Sequence, residues 1–161
     1  MGLAAGATSC GASVYLLGVC PTPAVSCLIQ KEHFDCGIMV SASHNPFHDN
    51  GIKLFNGDGC KMNPEIEKYI DNEVSIEVAH NEKIGSVIEW EEGLELYESW
   101  LKEIVPMDLS GMNILLDLAN GSATSCAAET LSELGATVEV IQTVSISIPN
   151  AVPHIPRSCR V

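Results

Sequence analysis

The sequence predicts an α/β fold: a mixed sheet with flanking helices, followed by the first βαβ elements of a second, similar unit. Three observations carry this. The apolar run Gly37-Ile38-Met39-Val40-Ser41-Ala42 has the length and composition of a strand buried on both faces. A second strand-like run, Ile52-Lys53-Leu54-Phe55, follows the turn signal Asn50-Gly51. Further on, Met112–Leu118, the stretch from Ser122 to Gly135, and Thr137–Ile141 read as strand, helix and strand, the pattern of two parallel strands joined by a crossover.

The elements follow in chain order. Residues 2–12 are small and apolar and suit a buried helix. Ser13-Val14-Tyr15-Leu16-Leu17 reads as a short buried strand closed by Gly18. Thr22 is placed to cap a helix with Pro23 at its first position, running to about Lys31. Pro46 cannot continue a strand ladder, so the strand ending at Ala42 must pass into a loop at Ser43-His44-Asn45-Pro46. Asn56-Gly57-Asp58-Gly59 is a second turn, leading to Cys60-Lys61-Met62. Asn63 and Pro64 start a helix with Glu65 and Glu67 in the first turn, where the helix dipole favours acids. Residues 75–90 are polar and read as a connection. Leu94, Tyr97, Leu101 and Ile104 recur at helical spacing, which predicts an amphipathic helix ending before Pro106. After Ile141 the periodicity is lost.

Composition excludes several function classes. The 161 residues carry a formal charge of −13, so there is no material for the basic face that nucleic acid or an anionic membrane surface requires. No apolar run approaches the roughly 20 residues of a membrane-spanning helix. The start lacks the basic region of a secretory signal. Seven cysteines at irregular spacing, with no C-x-x-C pair, read as reduced thiols in a cytoplasm. Charge is unevenly distributed. Residues 1–30 hold no charged side chain, every acid lies between Glu32 and Glu139, and both arginines, Arg157 and Arg160, lie in a proline-rich tail.

The chemistry concentrates at one place. A strand delivers Ser43 to a loop at its C-terminal end, the edge at which open α/β sheets bind ligands. His44 adjoins it, and Lys53 follows on the next strand. Such a set suits a nucleophilic or phosphate-bearing serine. Ser, His, Asn and Pro are equally at home in a plain turn, and the residues alone leave both readings open. His44, His48 and Asp49 imitate a metal site, but Pro46 between the histidines forbids the helical geometry it would need. Asn56-Gly57-Asp58-Gly59 has one acid and reads as a hairpin turn, and the acids from Glu65 to Glu103 read as solvated helix surface. The aromatics are too few and scattered for a stacking platform.

The run Ser41-Ala42-Ser43-His44-Asn45-Pro46-Phe47-His48-Asp49-Asn50-Gly51-Ile52-Lys53 resembles the phosphoserine loop of the α-D-phosphohexomutases. The Pro-Phe-x-Asp-Asn-Gly-Ile-Lys continuation is closest to their bacterial phosphoglucosamine mutase branch. Pro21-Thr22-Pro23-Ala24-Val25 resembles the segment before the loop's strand, and Leu116-Asp117-Leu118-Ala119-Asn120-Gly121-Ser122 the opening of the family's second domain. The resemblance implies that Ser43 carries a phosphoryl group and passes it to a sugar monophosphate. The resulting bisphosphate then turns over and returns its other phosphate. The net reaction would interconvert glucosamine 6-phosphate and glucosamine 1-phosphate. It also implies Mg²⁺ on the phosphate of Ser43, a hexose or glucosamine 1,6-bisphosphate as activator, Lys53 in proton transfer and charge stabilisation, a supporting His44, and Asn45 holding the loop. A phosphosugar is the implied partner in the full-length enzyme, with neither nucleic acid nor membrane, and the oligomeric state stays open.

The same resemblance sets the expected domain limits: part of domain 1 over residues 1–106, the start of domain 2 over 107–141, and a non-homologous, frameshifted or disordered tail over 142–161. It implies an opening strand, an aspartate metal loop and two further domains that do not occur in this sequence. The polypeptide alone is therefore expected to lack mutase turnover. A related glucose or mannose phosphohexomutase, or a non-catalytic module derived from domain 1, are the alternatives.

Overall fold

The structure is a computed structural model, and it describes residues 1–42, 45–46, 49–72 and 83–141. The tail 142–161, expected to be unrelated to the rest, lies outside the described residues. Among the described residues, six strands and five α-helices run in the order α1 (Gly2–Ser9), β1 (Val14–Leu16), α2 (Thr22–Glu32), β2 (Cys36–Ser41), β3 (Gly51–Asn56), α3 (Pro64–Asp71), β4 (Val87–Glu89), α4 (Glu92–Ile104), β5 (Asn113–Asp117), α5 (Ala127–Glu133) and β6 (Thr137–Ile141). Parallel and antiparallel pairings both occur, as a mixed α/β fold requires. These strands form three separate two-stranded ladders rather than one sheet.

The first ladder pairs β1 with β4 in parallel, Val14 opposite Val87 and Leu16 opposite Glu89. Strand β4 was not expected, because residues 75–90 read as a polar connection. All three of its residues are exposed. It is held by the backbone, with the Val14 amide donating to the Ser86 carbonyl at 2.7 Å and the Trp90 amide to the Leu16 carbonyl at 2.9 Å. A strand made by its ladder rather than by burial leaves no hydrophobic period to read. The second ladder is the antiparallel hairpin β2–β3, and the third is the expected parallel pair β5–β6.

Helix α2 is the centre of packing. Ala24, Val25, Cys27, Leu28 and Ile29 are all buried. With Cys20, Phe55, Tyr97 and Cys126 they form one apolar cluster, drawing on α2, the hairpin, α4 and the start of α5. Trp90, Leu94, Trp100 and Leu101 close over it. The helix starts one residue earlier than expected: Pro21, in extended conformation, occupies the cap position, and Thr22 is already helical. The aromatics, scattered in sequence, gather in space. The rings of Tyr15, Phe34 and Trp90 meet edge to face with centroids 5.1 to 5.9 Å apart.

Three further expectations are corrected. Helix α1 buries only Ala4 and Thr8, and Leu3 is exposed, so it lies on the surface. Strand β2 alternates between exposed and half-buried residues instead of being buried on both faces. Only its Gly37–Met39–Ser41 side meets α2, while Ile38 and Val40 keep 42% and 53% of their surface exposed. The predicted helix from Ser122 is broken in two. Residues Ser122–Ser125 form a 3-10 turn, Cys126 leaves helical geometry with φ −143°, and α5 starts only at Ala127.

Candidate functional site

The candidate loop joins the two strands of the hairpin. Ser41 pairs with Gly51, Val40 with Ile52, Met39 with Lys53, and so on to Cys36 with Asn56. The loop therefore leaves and re-enters the ladder at one level. Within it, the Asn45 amide donates to the Ala42 carbonyl at 2.9 Å and the Asp49 amide to the Pro46 carbonyl at 2.8 Å. Gly51 closes the base tightly: a Cβ there would stand 3.1 Å from the Ser41 carbonyl oxygen. Ser43 and His44, the first two predicted site residues, lie outside the described residues, as do Phe47 and His48.

Lys53, the third, is described. It stands on β3, two residues from the base of the loop and directly opposite Met39. Directly paired residues share a face, and the face alternates along a strand. Lys53 therefore lies on the same side as Gly37, Met39, Ser41 and the buried Phe55, the side that packs on α2. It is half-buried there. A lysine stem can lie along apolar surface while its ammonium reaches past it.

The far end of the hairpin is fixed to α2. Asn56 organises the second turn, its Oδ1 accepting from the amides of Asp58 at 3.1 Å and Cys60 at 2.9 Å. The expected hairpin turn at Asn56–Gly59 is thereby found. Across it, Ser26 Oγ donates to the Gly59 carbonyl and Gln30 Nε2 to the Asp58 carbonyl. Neither anchor was expected from the sequence. Their signal is legible in hindsight as a pair of polar residues at i and i+4 on an otherwise apolar helix. Gly37 lets the helix approach: a Cβ there would come within 2.5 Å of Ile29 Cδ1 and 2.9 Å of Val25 Cγ1.

The electrostatics distinguish the two lysines of this region. Lys61, beyond the second turn, pairs with Glu67 on α3 at 3.5 Å. Lys53 makes no ion pair among the described residues. Its backbone is fixed by the ladder two residues from the base of the loop. Among the described residues, no group of three or more His, Cys, Asp or Glu side chains is placed to hold a metal ion. The described residues thus do not by themselves form the Mg²⁺ site implied by the sequence resemblance. No helix among them is long and apolar enough to cross a membrane.

The family described as phosphoglucomutase/phosphomannomutase, alpha/beta/alpha domain I, matches residues 2–80. Among curated proteins, the chain is 49% identical over 144 residues to the phosphoglucosamine mutase of Lachnoclostridium phytofermentans, covering 86% of this chain and 32% of that protein. It is 46% identical to the phosphoglucosamine mutase of Lachnospira eligens with the same coverage. To the phosphoglucosamine mutase of Syntrophobacter fumaroxidans it is 39% identical, over 98% of this chain and 35% of that protein, so this alignment runs into residues beyond Ile141. The chain spans about a third of the length of the curated relatives it matches. A solved phosphoglucomutase/phosphomannomutase family protein from Burkholderia thailandensis shares the fold, with a TM-score of 0.66 at 23% identity over 86% of this chain and 31% of that one.

Proposed function

We propose that this chain, whose residues 2–80 match domain I of the phosphoglucomutase/phosphomannomutase family, serves a phosphoglucosamine mutase. The reaction is the interconversion of glucosamine 6-phosphate and glucosamine 1-phosphate, in the cytoplasm. The observation that carries this reading is the 49% identity over 144 residues to a protein of that name.

In this reading Ser43 carries the phosphoryl group. A hydroxyl oxygen of the sugar monophosphate attacks the phosphorus. The bond from phosphorus to Ser43 Oγ breaks, the hydroxyl proton leaves to a base, and a bisphosphorylated sugar forms. Transfer of its other phosphate back to Ser43 Oγ completes the isomerisation. The transferring group carries charge on its equatorial oxygens, so fixed positive charge nearby is what the protein must supply. Lys53 supplies it from the rigid strand at the base of the loop, and His44 beside the serine supports proton movement. The backbone bonds of Asn45 and Asp49 hold the loop. In the family reading Mg²⁺ adds to this charge, and a hexose or glucosamine 1,6-bisphosphate primes the serine.

The test is to incubate the chain with glucosamine 1,6-bisphosphate and map any phosphoryl group by mass spectrometry. Phosphate on Ser43, absent in Ser43→Ala and reduced in Lys53→Met, is the expected outcome. An unmodified Ser43 under conditions that load a full-length relative would sink the proposal and favour a non-catalytic module. Loading from glucose 1,6-bisphosphate but never from the glucosamine compound would move the substrate to a neutral hexose. Turnover is a separate matter. Lys53 alone, on a chain of net charge −13, is little against a bisphosphate of roughly −3 to −4. A coupled assay on this polypeptide alone is therefore expected to show phosphorylation without a completed cycle.

A further inference from the structure

Helix α4 packs on α2 on one side and on α5 on the other. Its Glu98 is only 8% exposed, an uncommon place for a carboxylate. From α5, Glu129 and Glu133 bring negative charge towards it, and Glu95 adds more from its own helix. Cys126, the buried thiol immediately before α5, also interacts with it. The cation acting on this set is Lys102, one turn further along α4. It hydrogen-bonds to Glu133. Among the described residues, no hydrogen bond or ion pair ties the Glu98 side chain to either helix. The contact between α4 and α5 thus contains a buried acid under the negative charge of two others, while the cation acting on it is hydrogen-bonded to Glu133.

From this arrangement we infer that Glu98 is a proton-linked latch: α4 and α5 are held together while its carboxyl is neutral, and the contact loosens when it ionises. Burial first, and then Glu129 and Glu133, hold the Glu98 carboxyl above the usual carboxylate range. The sign follows from linkage. A carboxyl whose folded value is raised leaves the contact undisturbed below its unfolded value near 4.5. The contact weakens as pH rises from there through the folded value.

Hydrogen exchange on the whole chain reads this directly. The Thr130 and Leu134 amides, bonded to the Cys126 and Thr130 carbonyls, report on α5. After correction for intrinsic exchange, their protection should fall between pH 4.5 and 7.5, because ionising a carboxyl whose folded value is raised favours opening. The amides of α2 should change less. In Glu98→Gln, α5 protection should be high and flat with pH. In Glu129→Gln the slope should be reduced. Protection independent of pH in the parent chain, or an unchanged slope in Glu98→Gln, would overturn the inference. If Glu98→Gln does not fold, an unchanged slope in Glu129→Gln does so instead.

Discussion

Helix α2 buries Ala24, Val25, Cys27, Leu28 and Ile29, whereas α3, which also has a proline in its first turn, buries no residue at all. The difference does not come from sorting of side chains. In α3, Ile66, Tyr69 and Ile70 fall on one face at i, i+3 and i+4, with Glu65, Glu67, Lys68 and Asp71 around them. Those three apolar residues nevertheless keep 46%, 66% and 51% of their surface exposed. What separates the helices is the presence of facing elements. α2 meets the hairpin on one side and α4 on the other, and no strong contact of α3 with another element is found among the described residues. The sources of order differ accordingly. α2 has no side-chain cap and no acid in its first turn. α3 has both, with Asn63 Oδ1 accepting from the Glu65 amide at 2.9 Å and acids at its dipole's positive end. One helix is ordered by burial, the other by its own ends.

Truncation in the two helices should give the largest contrast. Leu28 is 2% exposed, and Leu28→Ala should cost about 2–5 kcal/mol by lost burial and the cavity left behind. Ile66→Ala and Ile70→Ala should each stay within about 0.5 kcal/mol. Urea titrations of the three variants decide it. A cost above about 1 kcal/mol for Ile70→Ala would mean that the face of α3 is covered in solution, and the comparison would fail.

The dry surroundings of α2 should also appear in the alkaline range. Burial pushes the Cys20 thiol, at the mouth of α2, from 9.0 up to about 11, with the Cys126 thiol adding a smaller push. The stabilising contribution is fully present below pH 9 and is lost as pH rises towards 11. A rise of that size corresponds to about 3 kcal/mol. Stability measured from pH 8.5 to 11 should fall more steeply in the parent chain than in Cys20→Ala, whatever the starting values. At pH 8 the exposed Cys10, Cys36 and Cys60 should alkylate before the buried Cys20, Cys27 and Cys126. Equal rates would show that the core around α2 opens readily.

These contrasts also mark what could be read from the sequence. The helices α2, α3 and α4, the hairpin and the β5–α5–β6 unit were legible because prolines, caps, Gly-containing turns and apolar periods mark them locally. The loop was legible as a motif, and Lys53 could be placed by counting along β3. Burial was legible for Leu94, Tyr97 and Leu101 along α4 but not for the strands. The apolar run of β2 predicted two covered faces, but coverage depends on distant elements, and one face is open. Strand β4 was invisible because hydrogen bonds to β1, some 70 residues away, define it. The Cys126 break was missed because nothing in Ser-Ala-Thr-Ser-Cys-Ala-Ala forbids a continuous helix. The anchors Ser26 and Gln30 could be understood only once the second turn lay against them.

The second turn offers a test between the two helices, since it leads from β3 into α3 while resting on α2. Gly59 has φ +70°, and a Cβ there would stand 2.3 Å from the Ser26 carbonyl oxygen. Both the backbone conformation and the space require glycine. Gly59→Ala should cost about 1–3 kcal/mol, because the turn must lift off α2 and release the Ser26 and Gln30 bonds. A cost below about 0.5 kcal/mol, the range of an ordinary surface change, would mean that the turn does not rest on α2 as described.

The smallest effect should fall on α3 and stay there. Asn63→Ala removes the side-chain acceptor for the Glu65 amide but leaves the Asn63 carbonyl bonded to the Ile66 and Glu67 amides. Loss of such a cap costs about 1 kcal/mol of helix stability. An eight-residue helix is marginal without packing, so this loss should fray it outright. Because α3 buries nothing, fraying should not propagate to the core. Hydrogen exchange of the α3 amides in Asn63→Ala should speed up about fivefold, while the urea midpoint moves little and the amides of α2 keep their protection. Charge should modulate the same end: Lys61→Met, which removes the pairing with Glu67, should add a smaller acceleration that disappears in high salt. If Asn63→Ala instead lowers global stability by its full amount, α3 unfolds together with α2, and the two helices share one source of order.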